Sequence, residues 1–377
     1  MAGLNQFITG NGDDPRALVV VFLRGGADGL NMVAPFEDDG YFRARPRIAI
    51  RKANSVRLDD YFGFNPLLRD LEPAYRDGAL AVVHACGSED DTRSHFEAQD
   101  LMEHGGLMAS GGWLGRFLRV LPPEGVGPLS AVAIGTSVPE SLRGAPAATV
   151  MESFETFSLG KNSARFTAAL GRLYALENDP VGHAGRDTLD AVARIERFAR
   201  EPYRPAAGVN YAPHDHLARG LQEIARLIKA RVGLVAACLD LDGWDSHLTQ
   251  GVIMDPLMTR LGRGLSDFYR DLGGAMETTT VVVMTEFGRR VFENASFGTD
   301  HGRGSVMFVL GGGIKGGRVL ARWPTLNNAV LEGPGDLPVT TNYRDVLAPL
   351  LIRQGVPTGR LQEVFPHYKL SPLQLFG

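Results

Sequence analysis

The sequence is poor in the residues that define several classes of protein. Its 377 residues include only two cysteines, which are too few for a disulfide framework. No apolar run approaches the roughly 20 residues of a membrane-spanning helix, and residues 1–16 lack the basic and apolar regions of a secretion signal. The formal net charge of −4 provides no basic stripe for a phosphate backbone. We therefore expect a protein without disulfides or a membrane span that does not bind nucleic acid.

Lysine is also scarce, because only five of the 39 basic residues are lysines. The other 34 are arginines, whose planar guanidinium groups bind phosphate, sulfate and carboxylate through paired hydrogen bonds. A GC-rich genome produces the same bias. The composition is therefore compatible with a small anionic substrate without establishing one.

The apolar pattern predicts an α/β fold. Continuous apolar runs at 17–23, 80–86, 234–241, 279–285 and 305–310 indicate buried strands. Helical periodicity covers 163–200, 216–230 and 256–272. We predict one domain over residues 1–377, with a mixed, mainly parallel sheet between helix layers and a helical elaboration at about 160–230.

Polar turns follow or flank these predicted strands. Asp28 ends the first strand, and the stretches 242–247, 285–289 and 300–302 bring further carboxylates and histidines. The carboxyl edge of an open α/β sheet is where ligands bind, and carboxylate oxygen with imidazole nitrogen suits a divalent cation such as zinc or manganese. The predicted ligands are Asp28, Asp245, His247, Glu286 and His301, with Asp242 as an alternative to Asp245.

Each of these residues also has a structural interpretation. Asp28-Gly29 fits a simple turn, although a second carboxylate at the same sheet edge, that of Glu286, would call for a cation between them. His247 and His301 could be surface histidines or general acids and bases rather than ligands.

The segment SHFE at 94–97 has two interpretations of its own. It is a complete capping box, so Ser94 could serve only to cap a helix. The same hydroxyl at a helix amino end lies where an oxyanion binds and where a metal could activate a serine nucleophile. His95 could then act as a ligand or in catalysis, and Arg289 could hold the anion.

Several stretches together resemble one bacterial family. They are VVVFLRGGADGLNMVAPFED, HACGSEDDTRSHFEAQDLMEHG, LDLDGWDSHLTQG, VVVMTEFGRR and TDHGRGSVMFVLGGGIKGG. They resemble the family known as domain of unknown function 1501, of the alkaline phosphatase and sulfatase clan. The resemblance implies an alkaline phosphatase-like three-layer sandwich with one or two divalent ions, zinc, manganese, magnesium or calcium. Many relatives are exported, so a periplasmic or exported location is implied as well.

The resemblance also implies roles for individual residues. Asp28 resembles the metal aspartate of the first strand and Ser94 the nucleophile, while Asp245, His247 and His301 resemble the ligands of one ion. Glu286 stands where the clan usually has Asp followed by His, but Phe287 follows it here and cannot ligate. One metal site therefore lacks a customary ligand, which His95 could replace. The sulfatase motif C-x-P-x-R is absent, because Cys86 is followed by Gly-Ser-Glu.

We therefore expect a metal-dependent hydrolase or transferase of a small anionic ester, with a phosphoester favoured over a sulfate ester. The alternative is a non-catalytic exported binding or assembly protein that retains the fold with a degenerate metal site, as Phe287 would favour. A phosphomutase is a weaker alternative.

Overall fold

The computed structural model of the chain describes residues 16–106, 110–122, 126–154, 163–176, 179–200 and 202–377. The strands are β1 (Ala17–Arg24), β2 (Val33–Ala34), β3 (Val56–Arg57), β4 (Gly63–Phe64), β5 (Leu80–Gly87), β6 (Ala131–Ile134), β7 (Thr149–Met151), β8 (Ala236–Asp242), β9 (Thr279–Met284), β10 (Ser305–Gly311), β11 (Arg318–Leu320) and β12 (Thr341–Asn342). The helices are α1 (Gly29–Met32), α2 (Asp39–Ala44), α3 (Glu72–Arg76), α4 (His95–Glu103), α5 (Trp113–Val120), α6 (Ser163–Leu176), α7 (Pro180–Arg200), α8 (His216–Lys229), α9 (Gln250–Leu272), α10 (Tyr343–Arg353) and α11 (Leu361–Val364).

One large sheet organises the fold. Its strand order is β11-β5-β10-β9-β1-β8-β6-β7, and β12 also pairs with β5. β10 is antiparallel to β5 and β9, whereas the other neighbours in this sheet are parallel. The strands β2, β4 and β3 form a separate small sheet. The predicted mixed, mainly parallel sheet flanked by helices is confirmed.

Helices cover both faces of the large sheet. Alternate residues of β1 enter two different hydrophobic clusters, with Val19 and Val21 on one face and Leu18 and Val20 on the other. The first face packs against α8 and α9, and the second packs against α5 and α10. Because both faces of β1 are covered, its sequence is continuously apolar rather than alternating.

The apolar runs mark the strands closely. Each of the five predicted strands is observed with its ends within two residues of the prediction. The helical stretch 163–200 is confirmed as α6 and α7, apart from residues 177–178, which lie outside the described residues. The single domain with a helical elaboration stays a prediction, but α8 belongs to the main core, because Leu221 and Ile224 are fully buried there.

The helix predicted from 256 begins earlier than expected. α9 starts at Gln250, and Pro256 lies inside it. A proline in the second turn removes only one backbone hydrogen bond, and the first turn is held from outside the helix. Gln250 donates to Asp28 Oδ2 at 2.7 Å and accepts from the Thr299 hydroxyl at 2.7 Å.

The direction of β10 decides where the polar turns meet. The parallel strands β1, β5, β8 and β9 end at one edge of the sheet, and the antiparallel β10 begins at that same edge. The segment before β10, which contains His301, therefore joins the segments that follow β8 and β9.

Candidate metal centre

Three histidines and one aspartate converge at this edge. The Asp245 Oδ1 atom lies 3.2 Å from His247 Nε2, 3.4 Å from His301 Nε2 and 3.5 Å from His95 Nε2. The Nε2 atoms of His247 and His301 are 2.9 Å apart. Ligand atoms about 2.0–2.1 Å from a tetrahedral zinc ion are themselves about 3.3 Å apart. The three distances to Asp245 are close to this spacing, and the ligand atoms of His95, Asp245 and His301 all lie within 4.8 Å of one another.

Different elements supply the four side chains. His95 is the first residue of α4, Asp245 and His247 follow β8, and His301 precedes β10. The loop that carries Asp245 lies against Gly25, whose φ is +119°. A Cβ atom at this glycine would lie 2.5 Å from the Asp245 backbone nitrogen. A side chain there would therefore displace a ligand of the centre.

The other ring nitrogen of each histidine contacts an acceptor. His95 Nδ1 lies 2.8 Å from Glu286 Oε1, His247 Nδ1 lies 3.1 Å from Asp300 Oδ1, and His301 Nδ1 lies 2.7 Å from the Arg93 carbonyl oxygen. Carboxylates and carbonyls only accept, so each Nδ1 carries the proton and donates it. In the neutral rings, each Nε2 then presents its lone pair to the centre. This arrangement is typical of metal-binding histidines.

The centre fits a cation. In neutral rings, the lone pairs of His247 and His301 Nε2 oppose each other at 2.9 Å, which is unfavourable unless a proton or a metal ion lies between them. His95 Nε2 is buried and has no hydrogen-bond partner in the described part of the chain. His95, Asp245 and His301 form the group whose ligand atoms all lie within 4.8 Å of one another. A divalent ion bound there would satisfy His95 Nε2 and separate the two facing lone pairs, and this donor set suits zinc.

The electrostatic environment favours these protonation states at Asp245 and His301, but it opposes the neutral form of His95, whose proton a bound ion would have to displace. Burial opposes ionisation of Asp245, but Arg289 and the histidines outweigh it and lower the Asp245 pKa to about 2. Burial lowers the pKa of His301, and Arg289 lowers it further. The hydrogen bond to Glu286 raises the pKa of His95. Asp245 is therefore ionised and His301 neutral near pH 7, as metal binding requires.

Glu286 occupies a supporting position rather than a ligand position. It is 2% exposed, and its Oε1 atom accepts hydrogen bonds from His95 Nδ1, Gln99 Nε2 and the Gly25 amide at 2.8–2.9 Å. Burial alone would raise the pKa of Glu286, but these bonds hold it below its ordinary value. The structure thus brings Glu286 next to the centre, where it orients His95.

Asp28 lies apart from the cluster and has a different cation. Its two carboxylate oxygens accept hydrogen bonds from Arg45 at 2.6 and 3.0 Å, and Gln250 donates to one of them. The side chains of Asp28 and Arg45 are both 0% exposed. The expected cation at this carboxylate is therefore present, but it is a guanidinium group. In this structure Asp28 does not lie with Asp245 and the three histidines.

Arg289 and Asp242 also differ from their expected roles. Arg289 is fully buried and donates to the Gly26, Thr299 and Trp244 carbonyls and to Asp245 Oδ1. Each of its three nitrogens donates to the protein and its side chain is 0% exposed, so Arg289 positions Asp245 rather than holding an anion from solvent. Asp242 is exposed at the end of β8 and lines a neighbouring cleft.

Ser94 caps α4, as its capping box predicts. Its hydroxyl oxygen accepts from the Glu97 amide at 3.4 Å, a long and weak bond. Ser94 is exposed and directly precedes the ligand His95. Ser94 can therefore cap the helix first and act as a nucleophile afterwards, because little energy is needed to break the capping hydrogen bond.

Sequence reasoning missed Arg45 as the partner of Asp28. Arg45 lies in the arginine-rich segment RARPR, where nothing distinguishes it from its surface neighbours. The role of Asp300 was also missed, although it directly precedes a predicted ligand, His301. An acid beside a histidine ligand could have indicated an orienting group.

The family comparison agrees with this part of the chain. The family described as "Protein of unknown function (DUF1501)" matches residues 78–362. The chain belongs to this family. Among curated proteins, no match was found. The match extends from β5 to α11 and includes all four converging side chains, so the resemblance inferred from the sequence is confirmed.

Solved structures similar to this DUF1501 chain include phosphatases and sulfatases. The alkaline phosphatase from the Antarctic bacterium TAB5 is 8% identical, covers 80% of this chain and 93% of its own, and has a TM-score of 0.29. A 2-O GAG sulfatase is 11% identical, with coverages of 95% and 76% and a TM-score of 0.35. The zinc complex of the C-terminal periplasmic domain of EcEptC from Escherichia coli is 9% identical, with coverages of 80% and 73% and a TM-score of 0.31. These similarities concern the fold alone.

Within the described residues, no helix has the length and apolarity for a membrane crossing.

Proposed function

We propose that this DUF1501 protein is a divalent-metal-dependent hydrolase or transferase of an anionic ester, with a phosphoester favoured over a sulfate ester. The observation that carries the proposal is the convergence of three histidine Nε2 atoms on Asp245 Oδ1, with every Nδ1 proton directed away to an acceptor. Because Arg45 already neutralises Asp28, we propose one ion at this edge rather than two.

A divalent ion in this centre would act as a Lewis acid on the ester. The chain itself contributes the amino end of α4, where the first-turn amides and the helix dipole favour a negative charge. His95 is the first residue of that helix, so the metal ligand and the anion-binding amides belong to the same turn. An anionic ester oxygen would meet both.

Ser94 is the proposed nucleophile. Its oxygen accepts only the weak bond from the Glu97 amide among the described contacts, so an electron pair remains for attack on the ester. Its position at the amino end of α4 places it beside the same amides. The absence of the sulfatase cysteine motif and the burial of Cys86 in β5 favour a phosphoester over a sulfate ester.

Metal content tests the ligand assignment. We expect about one equivalent of ion in the purified wild-type protein, and we expect His247→Ala and His301→Ala each to remove it, as measured by elemental mass spectrometry. The matched control is His214→Ala, an exposed histidine outside the cluster, which should retain the ion. Unchanged metal content in both ligand variants would refute the assignment.

An ester panel tests the reaction. p-Nitrophenyl phosphate, a p-nitrophenyl phosphodiester and p-nitrophenyl sulfate would be incubated with the protein and added zinc, manganese, magnesium or calcium. We expect turnover of a phosphoester, and its loss in the two ligand variants. Wild-type protein that binds metal but turns over none of the three esters contradicts the proposal as stated.

A non-catalytic, exported binding protein is the second candidate, and Phe287 favours it. Its ring is buried and packs 4.8 Å from the His95 ring and 4.9 Å from the His301 ring. An aromatic wall at a metal centre reduces the room for water and substrate. No turnover of any ester with any added metal would support this candidate. A phosphomutase would instead transfer phosphate within one substrate without releasing it.

A further inference from the structure

A cleft of about 500 Å³ adjoins the metal centre. Its lining includes Phe96 and Gln99 of α4 and Asp242 at the end of β8. The same two elements support the metal centre, since α4 carries His95 and Asp245 follows β8. Gln99 connects them directly, because it accepts from Arg24 in the cleft at 3.1 Å and donates to Glu286 at 2.9 Å. The volume of the cleft is typical of a small-molecule site, so a substrate at the metal centre would extend into the cleft.

The charge of the cleft is negative. Its carboxylates are Asp100, Glu103, Glu140, Asp240 and Asp242. Arg24 is the one guanidinium among the described lining residues, and it is committed to Asp240 at 2.7 Å and to Glu103 at 3.0 Å. Glu140 is paired with Arg143 at 2.5 Å, and Asp100 lies 3.3 Å from His104. Asp242 is therefore the one lining carboxylate without an ion pair among the described contacts, and an anionic group in the cleft would meet it with no uncommitted arginine.

An exposed aromatic ring stands at this cleft. Phe96 is 88% exposed although it is a large apolar side chain, and it directly follows the metal ligand His95. A ring face beside carboxylates is the combination that recognises alkylammonium and quaternary ammonium groups, because cation–π attraction adds to charge attraction. A ligand that covers this ring would account for its exposure.

We propose that this cleft binds the positively charged part of the substrate, an alkylammonium or quaternary ammonium group, while its ester lies at the metal centre. The inference rests on the proposed function for the position of the ester, and it specifies the substrate class as a zwitterionic ester. The cation would contact Phe96 and Asp242, the exposed carboxylate that follows Leu241 at the end of β8.

Binding without turnover provides the first test. Choline and 3,3-dimethyl-1-butanol have nearly the same shape, but only choline is charged. We expect the wild-type protein to bind choline about tenfold more tightly, as measured by calorimetry or by NMR titration. Phe96→Ala and Asp242→Asn should each remove most of this preference. Asp70→Asn is the matched control, because Asp70 is exposed and does not line the cleft.

Turnover provides the second test. p-Nitrophenyl phosphorylcholine should have a kcat/KM about tenfold above that of the isosteric p-nitrophenyl 3,3-dimethylbutyl phosphate, and Asp242→Asn should make the two nearly equal. Equal binding of choline and its neutral isostere, or a preference that survives both cleft substitutions, would overturn the inference. If choline binding follows the expected pattern while neither ester is hydrolysed, the proposed function fails and the cation site stands.

Discussion

The buried pair of Asp28 and Arg45 provides the most direct test of how this site differs from its sequence-based expectation. Both side chains are 0% exposed, and two hydrogen bonds of 2.6 and 3.0 Å join them. Arg45 also donates to the Val291 and Arg290 carbonyls at 2.8 and 2.9 Å. Arg45→Met keeps most of the side-chain volume and removes all four hydrogen bonds.

The expected loss of stability is large. An unpaired charge left by breaking a buried ion pair costs about 3–5 kcal/mol, and each carbonyl that loses its partner adds about 1 kcal/mol. The single variant should therefore lose about 5 kcal/mol or more of unfolding free energy, with Gln250 as the remaining donor to the carboxylate. Adding Asp28→Asn removes the stranded charge, so the double variant should recover about 2–3 kcal/mol through coupling of the two positions.

Urea denaturation measures these free energies, and elemental analysis of the same samples measures the metal. Arg57→Met is the control, because the pair of Arg57 and Asp60 is exposed and surface substitutions stay within about 0.5 kcal/mol. The double variant should still hold about one equivalent of ion. An Arg45→Met protein as stable as wild type, or a double variant without metal, would refute this account of Asp28.

Three further predictions concern His95 as a proposed metal ligand, Ser94 as the proposed nucleophile, and Asp271 near the end of α9. Glu286→Gln removes the carboxylate that orients His95 and should weaken metal binding about 10–100-fold in a chelator competition assay; unchanged affinity would contradict the orienting role. Ser94→Ala should keep the metal and lower kcat by roughly 10³-fold or more, whereas a purely capping serine would cost only about 1 kcal/mol of stability. Burial opposes the ionisation of Asp271, but hydrogen bonds, foremost the one from Lys229, hold the pKa of Asp271 below its ordinary value. The ionised Asp271 carboxylate should therefore contribute its full stabilisation of the fold above its unfolded pKa of about 3.9, and this stabilisation should disappear as the pH falls through the lower folded pKa. The difference in unfolding free energy between wild type and Asp271→Asn should thus become smaller on acidification.

The sequence was sufficient for the sheet and for part of the centre. Runs such as ALVVVFL are apolar at every position because both faces of β1 are covered. The segments of Asp245, His247 and His301 could be assigned to the carboxyl edge, since polar turns next to buried strands meet there. The order of the strands, and the antiparallel direction of β10 that brings His301 to this edge, depend on pairings distant in sequence.

The role of a residue could not be predicted from the sequence where it depends on which side chain contacts that residue. Asp28 and Glu286 each end or follow a buried strand, so they have the same local pattern as a ligand. Their functions differ because Arg45 contacts Asp28 and His95 contacts Glu286, and these contacts join residues that are 17 and 191 positions apart in the sequence. The start of α9 was predicted six residues too late for the same reason. Pro256 favours a helix start at that residue, but contacts of Gln250 with Asp28 and Thr299 hold the preceding turn in the helix.

The number of metal ions follows from how the three carboxylates at this edge are neutralised. Asp28 has the guanidinium of Arg45, and Glu286 has hydrogen bonds from His95, Gln99 and Gly25. Asp245 has Arg289 on Oδ1, yet three Nε2 atoms lie within 3.5 Å of that same oxygen. The proposed ion would lie at this place, and Phe287 supplies no further donor beside it. A second ion bound by Asp28 would therefore require Arg45 to leave this carboxylate, which the buried pair strongly opposes.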